Sequence, residues 1–489
     1  GMYDALPTHD WQDEVMGDTP VSYPTNVNIG GGSEKLHFNT SLTNSEDNGI
    51  IMGSSVRRTN LNIKFEVLLS DKLTLRLNPK FSYRRDTGAG GESIGSGGII
   101  DALQYRPTNG LREFAFWDPS TVDPDEEANF QYTNPKNDIQ TNTQKRHSYD
   151  IINQAALEWR PIKGLVLETN FSYRMYFTDQ NRFYGPLTKI GTSNNKLPVA
   201  QITNTHREAY TWTNTANYNF TLNNDHNFSA LLGSEIQSDQ TKTTYQANRY
   251  FPREISSDKA LNNMTLGTPY SSTSELTTPI RQASFFGQLS WNYKHRYLAA
   301  ATMRADGSTK FAPGNQWGYF PSLSAAWSIT EEPWMKNVKW LNLLKIRASW
   351  GLTGNNRIDN DMWRYLYSVS TSGGPGFGET TPNGEQYYSF GNGNKFTNEK
   401  IKWETNIKRN LAADISMFDG RLNITPEFYW NTTKDLLYLS DVPTTSGYTT
   451  QMRNIGKVSN RGAELSVNYD ILRGSDYVLS ANMTFGYNK

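Results

Sequence analysis

KLTLRLNPKFSYRR, residues 72–85, changes character at every step. Leu73, Leu75, Leu77, Pro79, Phe81 and Tyr83 fall on one side of an extended chain, and Thr74, Arg76, Asn78, Lys80 and Ser82 on the other. Period-two alternation predicts a β-strand with one apolar and one polar face. Two architectures use such a strand. In a soluble sandwich the apolar side meets a second sheet, and in a membrane barrel it meets lipid.

Composition narrows the choice. The 489 residues suit about three ordinary domains or one large β architecture. With 48 basic and 48 acidic residues the chain has no bulk field to recruit nucleic acid, and no nucleic-acid partner is expected. Cysteine is absent, which excludes disulfides, thiolate zinc sites and thiol catalysis without fixing the compartment. No run of about eighteen apolar residues encodes a transmembrane helix. A polar mean hydropathy is still compatible with a spanning barrel, whose strands alternate and whose loops are hydrophilic. The start, GMYDALPTHDWQDE, lacks the basic and apolar regions of a signal peptide, so an exported protein is expected here as a mature chain or a fragment.

Alternation marks about sixteen strands. They fall near 22–30, 35–44, 55–68, 72–84, 146–160, 164–179, 204–222 and 226–243. The second half adds 279–294, 296–306, 317–329, 342–353, 401–416, 421–438, 453–470 and 477–488. Several exceed the roughly five or six residues usual in soluble sheets and reach the nine to eleven or so that cross a bilayer. Tight links such as GGSE (31–34), PIKG (161–164), NNDH (223–226), KHR (294–296) and FDGR (418–421) occupy every second junction. Long segments separate them: 45–54, 85–145, 180–203, 244–278, 307–316, 354–400 and 439–452. One tight end and one elaborate end is the pattern of an outer-membrane barrel with short periplasmic turns and long extracellular loops. One link, TEEPWMKNVKWLN (330–342), is longer and is predicted to hold a short helix.

The faces agree. Leu344, Ile346, Ala348, Trp350 and Leu352 are expected on the lipid side, with Lys345, Arg347 and Ser349 inward. Leu165, Leu167, Phe171 and Tyr173 point out, and Glu168, Asn170, Ser172 and Arg174 in. Charged inner residues imply a wet lumen, because a dry core strongly disfavours unpaired Lys and Arg. Trp291, Tyr293, Tyr297, Trp327 and Trp430 suit interfacial girdles. Ordinary sheet packing around aromatic cores stays open at this point.

ASFFGQLSWNYKHRYLAAATMRADGSTKFAPGNQWGYFPSLSAAWSITEEPWMK, residues 283–336, closely resembles the SusC/RagA family of TonB-dependent outer-membrane transporters. DWQDEVM (10–16), LKIRASWGLTGNN (344–356), NEKIKWET (398–405) and NIGKVSNRGAELSVNYD (454–470) match the same family in the same order. The resemblance implies an all-β, transmembrane antiparallel β-barrel, of which the chain carries about 16 of the family's 22 strands. Residues 1–489 are then one partial barrel domain, with an N-terminal plug and the last strands expected elsewhere. It further implies a Gram-negative outer-membrane importer of a nutrient, an oligosaccharide first and a peptide second. A SusD-like surface lipoprotein would act as lid, and the TonB complex would supply energy through the plug. Two other readings remain: a barrel-based surface receptor or adhesin without transport, and a soluble β-rich glycan-active enzyme.

Catalytic signals are weak, and neither an enzyme nor a cofactor is expected. The six histidines are scattered, with no HExxH spacing. DPDEE (123–127) reads as a solvated acidic loop before it reads as a calcium site, and GAGGESIGSGG (88–98) lacks the spacing of a phosphate cradle. Substrate contact points to aromatic clusters in the long segments. Trp117, Trp363, Tyr365, Tyr367, Tyr387 and Tyr388 are candidates for stacking on sugar rings, with loop packing or docking of the lid as the plainer role. In MWRYLYS, Trp363, Tyr365 and Tyr367 are expected on one face. Arg76, Arg174, Arg304 and Arg347 face the lumen, placed either to hold the plug through carboxylate pairs or to line a solvated wall.

Overall fold

A computed structural model describes residues 8–16, 19–88, 99–105, 107, 134–365, 367–370, 389–392, 395–474 and 476–489. All sixteen predicted strands form. They are β1 (Ser22–Gly32), β2 (Leu36–Asn48), β3 (Ser55–Ser70), the pair β4 (Leu73–Leu77) and β5 (Lys80–Gly88), and β6 (Asn142–Trp159). Next come β7 (Leu165–Tyr184), β8 (Val199–Leu222), β9 (His226–Arg249), β10 (Thr268–Leu276), β11 (Ile280–Tyr293) and β12 (Tyr297–Ser308). β13 (Trp317–Ser328) and β14 (Leu341–Asn355) precede three short loop strands, β15 (Tyr367–Ser370), β16 (Ser389–Asn392) and β17 (Lys395–Phe396). β18 (Glu404–Met417), β19 (Leu422–Lys434), β20 (Leu437–Asp441), β21 (Thr450–Asn454), β22 (Lys457–Arg473) and β23 (Val478–Asn488) complete the series. Among the described residues 18 of these strands join one sheet, and its strand pairs are antiparallel.

Within the large sheet two strands depart from the sequence reading. The run 72–84 is interrupted at Asn78–Pro79, because proline has no N–H for the ladder. The register survives the break: Leu77 lies opposite Phe65 and Lys80 opposite Asn62, so the alternation of faces carries through. β10 falls in what reads as a loop. Its sequence, TPYSSTSEL, has no apolar face to betray it, and it lengthens the ladder at the far end of β9, with Thr268 opposite Arg249. The sequence explains the tight links better. Asn223 and Asn224, and likewise Lys294 and His295, adopt left-handed backbone angles in turns closed by Asp225 N–H to Leu222 and Arg296 N–H to Tyr293. These are two-residue type I′ turns, whose twist matches that of the flanking strands.

The chain divides into two units, and register sorts the faces within each. The first comprises Gly1–Ala156, Phe171–Tyr210 and Asp239–Thr277. Across it, Val27, Leu42, Leu61, Phe81 and Ile151 lie opposite one another in turn, and so share one face. One residue along, Asn26, Thr43, Asn60, Ser82 and Asp150 form the matching row on the other face. That row is hydrogen bonded side chain to side chain, from Asn26 to Thr43 (2.6 Å) and from Ser82 to Asn60 (2.6 Å). The second unit comprises Leu157–Asn170, Thr211–Ser238 and Thr278–Lys489. Leu289, Ala301, Leu323 and Trp350 make its apolar row, with Gln288, Thr302 and Ser322 on the reverse.

Among the described residues nothing covers the apolar rows. Phe285 is 57% exposed, Leu323 54% and Leu289 50%, which overturns the reading as ordinary sheet packing. Buried hydrophobic residues gather instead at the long-loop ends. In the first unit Trp11, Val15, Ala102 and Ile139 pack together, as do Phe183, Ala200, Phe251 and Ala260. In the second unit Phe311, Ile358, Met362 and Ile401 do the same. None of the described helices is long and apolar enough to cross a membrane.

The long link at the tight end holds two 3₁₀ turns, Ile329–Glu331 and Pro333–Met335, as its length predicts. Glu332 between them is buried and accepts from the Tyr297 hydroxyl (2.6 Å) and the Trp327 indole (3.0 Å), with Arg296 at 3.4 Å. The Tyr297 hydrogen bond, then the Trp327 indole and the Arg296 charge, hold this carboxyl below its ordinary range against the opposing effect of burial. A depressed carboxylate stabilises the fold above its unfolded value of about 4.3, and that contribution disappears as pH falls through the folded value. Glu332→Gln is therefore expected to unfold at lower temperature than the native protein at pH 7. The gap should close below roughly pH 4, read as the temperature at which the folded gel band is lost.

Candidate functional site

The family-like motifs of the sequence meet at the bases of the long loops. In the second unit Phe311 from STKFAPGNQ packs on Trp403 from NEKIKWET, with ring centres 5.3 Å apart. The Trp403 indole donates to the Gln316 carbonyl (2.8 Å) and Asn398 to the Met452 carbonyl (3.0 Å). Asn454 accepts from the Lys402 N–H (2.9 Å) and donates to the Lys402 and Asp435 carbonyls. The Asn356 amide reaches the Ser308 hydroxyl. Each of these bonds satisfies backbone or side-chain groups in non-repetitive chain, which is what irregular buried loops require. A small sheet closes the arrangement, β20 pairing antiparallel with β21 and β21 parallel with β17.

The first unit uses the same device. In DWQDEVM, Asp10 caps helix α1 (Trp11–Val15) through the N–H groups of Gln12 and Asp13. Trp11 meets Tyr105 edge-on at 5.3 Å, while Glu14 accepts from Lys136 (3.0 Å) and contacts His9 (2.6 Å). Those two partners, His9 first, hold the Glu14 carboxyl below its ordinary range. The motif thus ties together described parts of the long segment between β5 and β6, at Ala102 and Tyr105 on one side and Lys136 and Ile139 on the other.

All four of these arginines, Arg76, Arg174, Arg304 and Arg347, lie on the polar face of the sheet, and each meets a carboxylate on that same face. Arg174 forms a two-pronged pair with Asp150 (2.7 and 2.8 Å), and Arg347 bridges Asp414 (3.3 Å) and Glu427 (3.1 Å). Arg304 bonds Asp306 (2.8 Å), with Glu235 at 3.9 Å, and Arg76 lies 3.6 Å from Glu66. These acidic partners escape a strand-by-strand reading. Asp150, Asp414 and Glu427 stand out only when neighbouring strands are set in register.

The aromatic candidates scatter. Residues 360–363 form a turn rather than a strand, so Trp363 and Tyr365 do not follow the alternation expected of them. Trp363 is half-buried and donates to the Thr309 carbonyl (3.3 Å), Arg364 pairs with Asp361 (2.7 Å), and Tyr365 is exposed. Tyr367 opens β15, of which only the backbone is described. Trp117, Tyr387, Tyr388, the acidic stretch 123–127 and most of the glycine-rich segment lie outside the described residues. Among the described residues no three His, Asp or Glu side chains are grouped to hold a metal ion.

Comparison with known proteins fits this geometry. Residues 64–489 match the family described as TonB dependent receptor-like, beta-barrel. TonB-dependent receptor P39 of Formosa agariphila is 29% identical, the match covering 96% of this chain and 42% of the relative. TonB-dependent receptor SusC of Bacteroides thetaiotaomicron is 28% identical over 98% of this chain and 48% of its own. The chain thus spans less than half the length of these curated relatives. Among solved structures, the RagAB peptide transporter superimposes with a TM-score of 0.80 at 20% identity, over 99% of this chain and 52% of the other. Its family comprises transporters and receptors, which sets aside the reading as a soluble glycan-active enzyme. With lipid-facing apolar rows and a charged inner wall, the chain is an outer-membrane β-barrel of a Gram-negative bacterium and belongs to the TonB-dependent receptor-like β-barrel family.

Proposed function

We propose that this barrel belongs to a TonB-energised importer that works beneath a SusD-like surface lipoprotein and brings an oligosaccharide across the outer membrane. The observation that carries this reading is the inner wall. Paired charges give each unit a hydrated polar face, Asp150–Arg174 in the first and Arg347–Asp414–Glu427 in the second, of the kind along which a polar nutrient passes once a plug rearranges. Tyr365 is exposed in the long-loop layer, where a stacking platform for a sugar ring belongs. A peptide is the second reading, favoured by the likeness to the RagAB peptide transporter.

The test uses the full-length protein, expressed with the lipoprotein of its own operon, in cells with and without TonB. Labelled oligosaccharides and peptides are offered in parallel. The proposal expects uptake of oligosaccharide that vanishes without TonB, together with co-purification of the lipoprotein. Binding without uptake, or a barrel that stays alone under gentle extraction, would establish the receptor or adhesin instead.

A further inference from the structure

The lipid-facing side of the second unit carries a groove that ends in unpaired cations. Ala325 and Ala348 form part of its floor, and Leu323, Trp350, Leu411 and Trp430 wall it, enclosing about 560 Å³. Register places these residues on the exposed apolar face: Leu323 lies opposite Trp350, and Ala325 opposite Ala348, which faces Leu411. Arg409 stands at the rim, opposite Trp350. Arg461 lies opposite Trp430, and four residues along the same strands Lys434 lies opposite Lys457. Because alternate residues share a face, all four basic side chains stand on the membrane side of the sheet, near the long-loop ends of β18, β19 and β22.

These cations do not serve the protein. Among the described residues the Arg409 side chain reaches only the Trp430 carbonyl and the Thr432 hydroxyl, both at 3.4 Å. The carboxylate of Asp435 next to Lys434 is taken by Lys402 at 3.0 Å. Among the described residues none of the four is in an ion pair. Basic residues on a lipid-facing surface cost about 2–4 kcal/mol at midplane and close to nothing at the interface, and Lys434 and Lys457 are the last and first residues of β19 and β22, at their long-loop ends. An apolar trough leading up to four cations is complementary to an amphiphile whose chains are hydrocarbon and whose head carries more than one phosphate.

We infer that this face is a binding site for the phosphorylated saccharolipid of the outer leaflet, with acyl chain in the groove and phosphates on Arg409, Arg461, Lys434 and Lys457. Guanidinium binds phosphate two-pronged, which gives the arginines the larger share. The inference rests on the outer-membrane reading, and its test separates the two. Full-length protein is extracted in mild detergent, its folded gel band is confirmed, and lipid retention is read by native mass spectrometry. The probes are bisphosphorylated lipid A, its phosphate-free form, phosphatidylglycerol and inorganic phosphate.

Bisphosphorylated lipid A should be retained and the other three should not. Arg409→Gln with Arg461→Gln should lower retention at least tenfold, as loss of charge-assisted bonds predicts. Ala348→Phe, which fills the trough without touching charge, should also lower it. Equal retention of the phosphate-free form, equal displacement by phosphatidylglycerol, or unchanged retention in both variants would overturn the site while leaving the barrel intact. Loss of the folded band in the native protein would overturn the barrel reading itself.

Discussion

Leu323→Arg should prevent the barrel from reaching its folded, heat-resistant form in the outer membrane, whereas Ser324→Arg one residue away should leave it nearly unchanged. Leu323 lies near the middle of β13 and is 54% exposed. At a half-exposed surface site in water, a substitution away from any special feature changes stability by no more than about 0.5 kcal/mol. Facing hydrocarbon, the same arginine costs roughly 2–4 kcal/mol at midplane. Ser324 sits on the reverse face, opposite Ala300 and Ser349, where an added cation meets the wet lumen. The measurement is the folded fraction on an unheated gel and the temperature at which that band disappears. Two variants behaving alike would mean that both faces meet water, and the membrane assignment would fall.

That contrast also shows what the linear sequence makes legible. Side-chain period alone places Leu73, Leu75 and Phe81 on one face of the chain and Arg76 and Lys80 on the other, and the spacing of tight and long links separates the two ends. Both are local signals, carried within ten or so residues, and both reappear in the register of β3 with β4 and β5. What escapes is non-local. The Arg347–Asp414–Glu427 triad draws on three strands whose residues lie far apart in the chain. β10 escapes for another reason: it extends a hairpin with polar side chains on both faces, so no period marks it. The expected common face of Trp363 and Tyr365 fails because strand alternation was applied to a segment that turns to bury Met362.

Phe311→Ala is expected to unfold the long-loop layer of the second unit while the barrel stays folded. Phe311 is fully buried, packed on Trp403 and gathered with Ile358, Met362 and Ile401. Truncating a buried phenylalanine costs about 3–5 kcal/mol, the lost transfer free energy plus the cavity left behind. The strands below do not share that cluster: their apolar side chains point to lipid and their ladder hydrogen bonds are untouched. The cost therefore falls on a local unit, whose opening free energy is smaller than that of the whole fold. Limited proteolysis should reveal a new cleavage between residues 356 and 403, with no change in the heat at which the barrel band is lost, and uptake should fall with the loops. Met362→Leu, which conserves volume in the same cluster, should cost under about 1.5 kcal/mol and keep the loops protected. Should Phe311→Ala instead abolish the barrel band, loop packing and barrel assembly would be one cooperative event, and the long-loop layer could not vary independently of the wall that carries it.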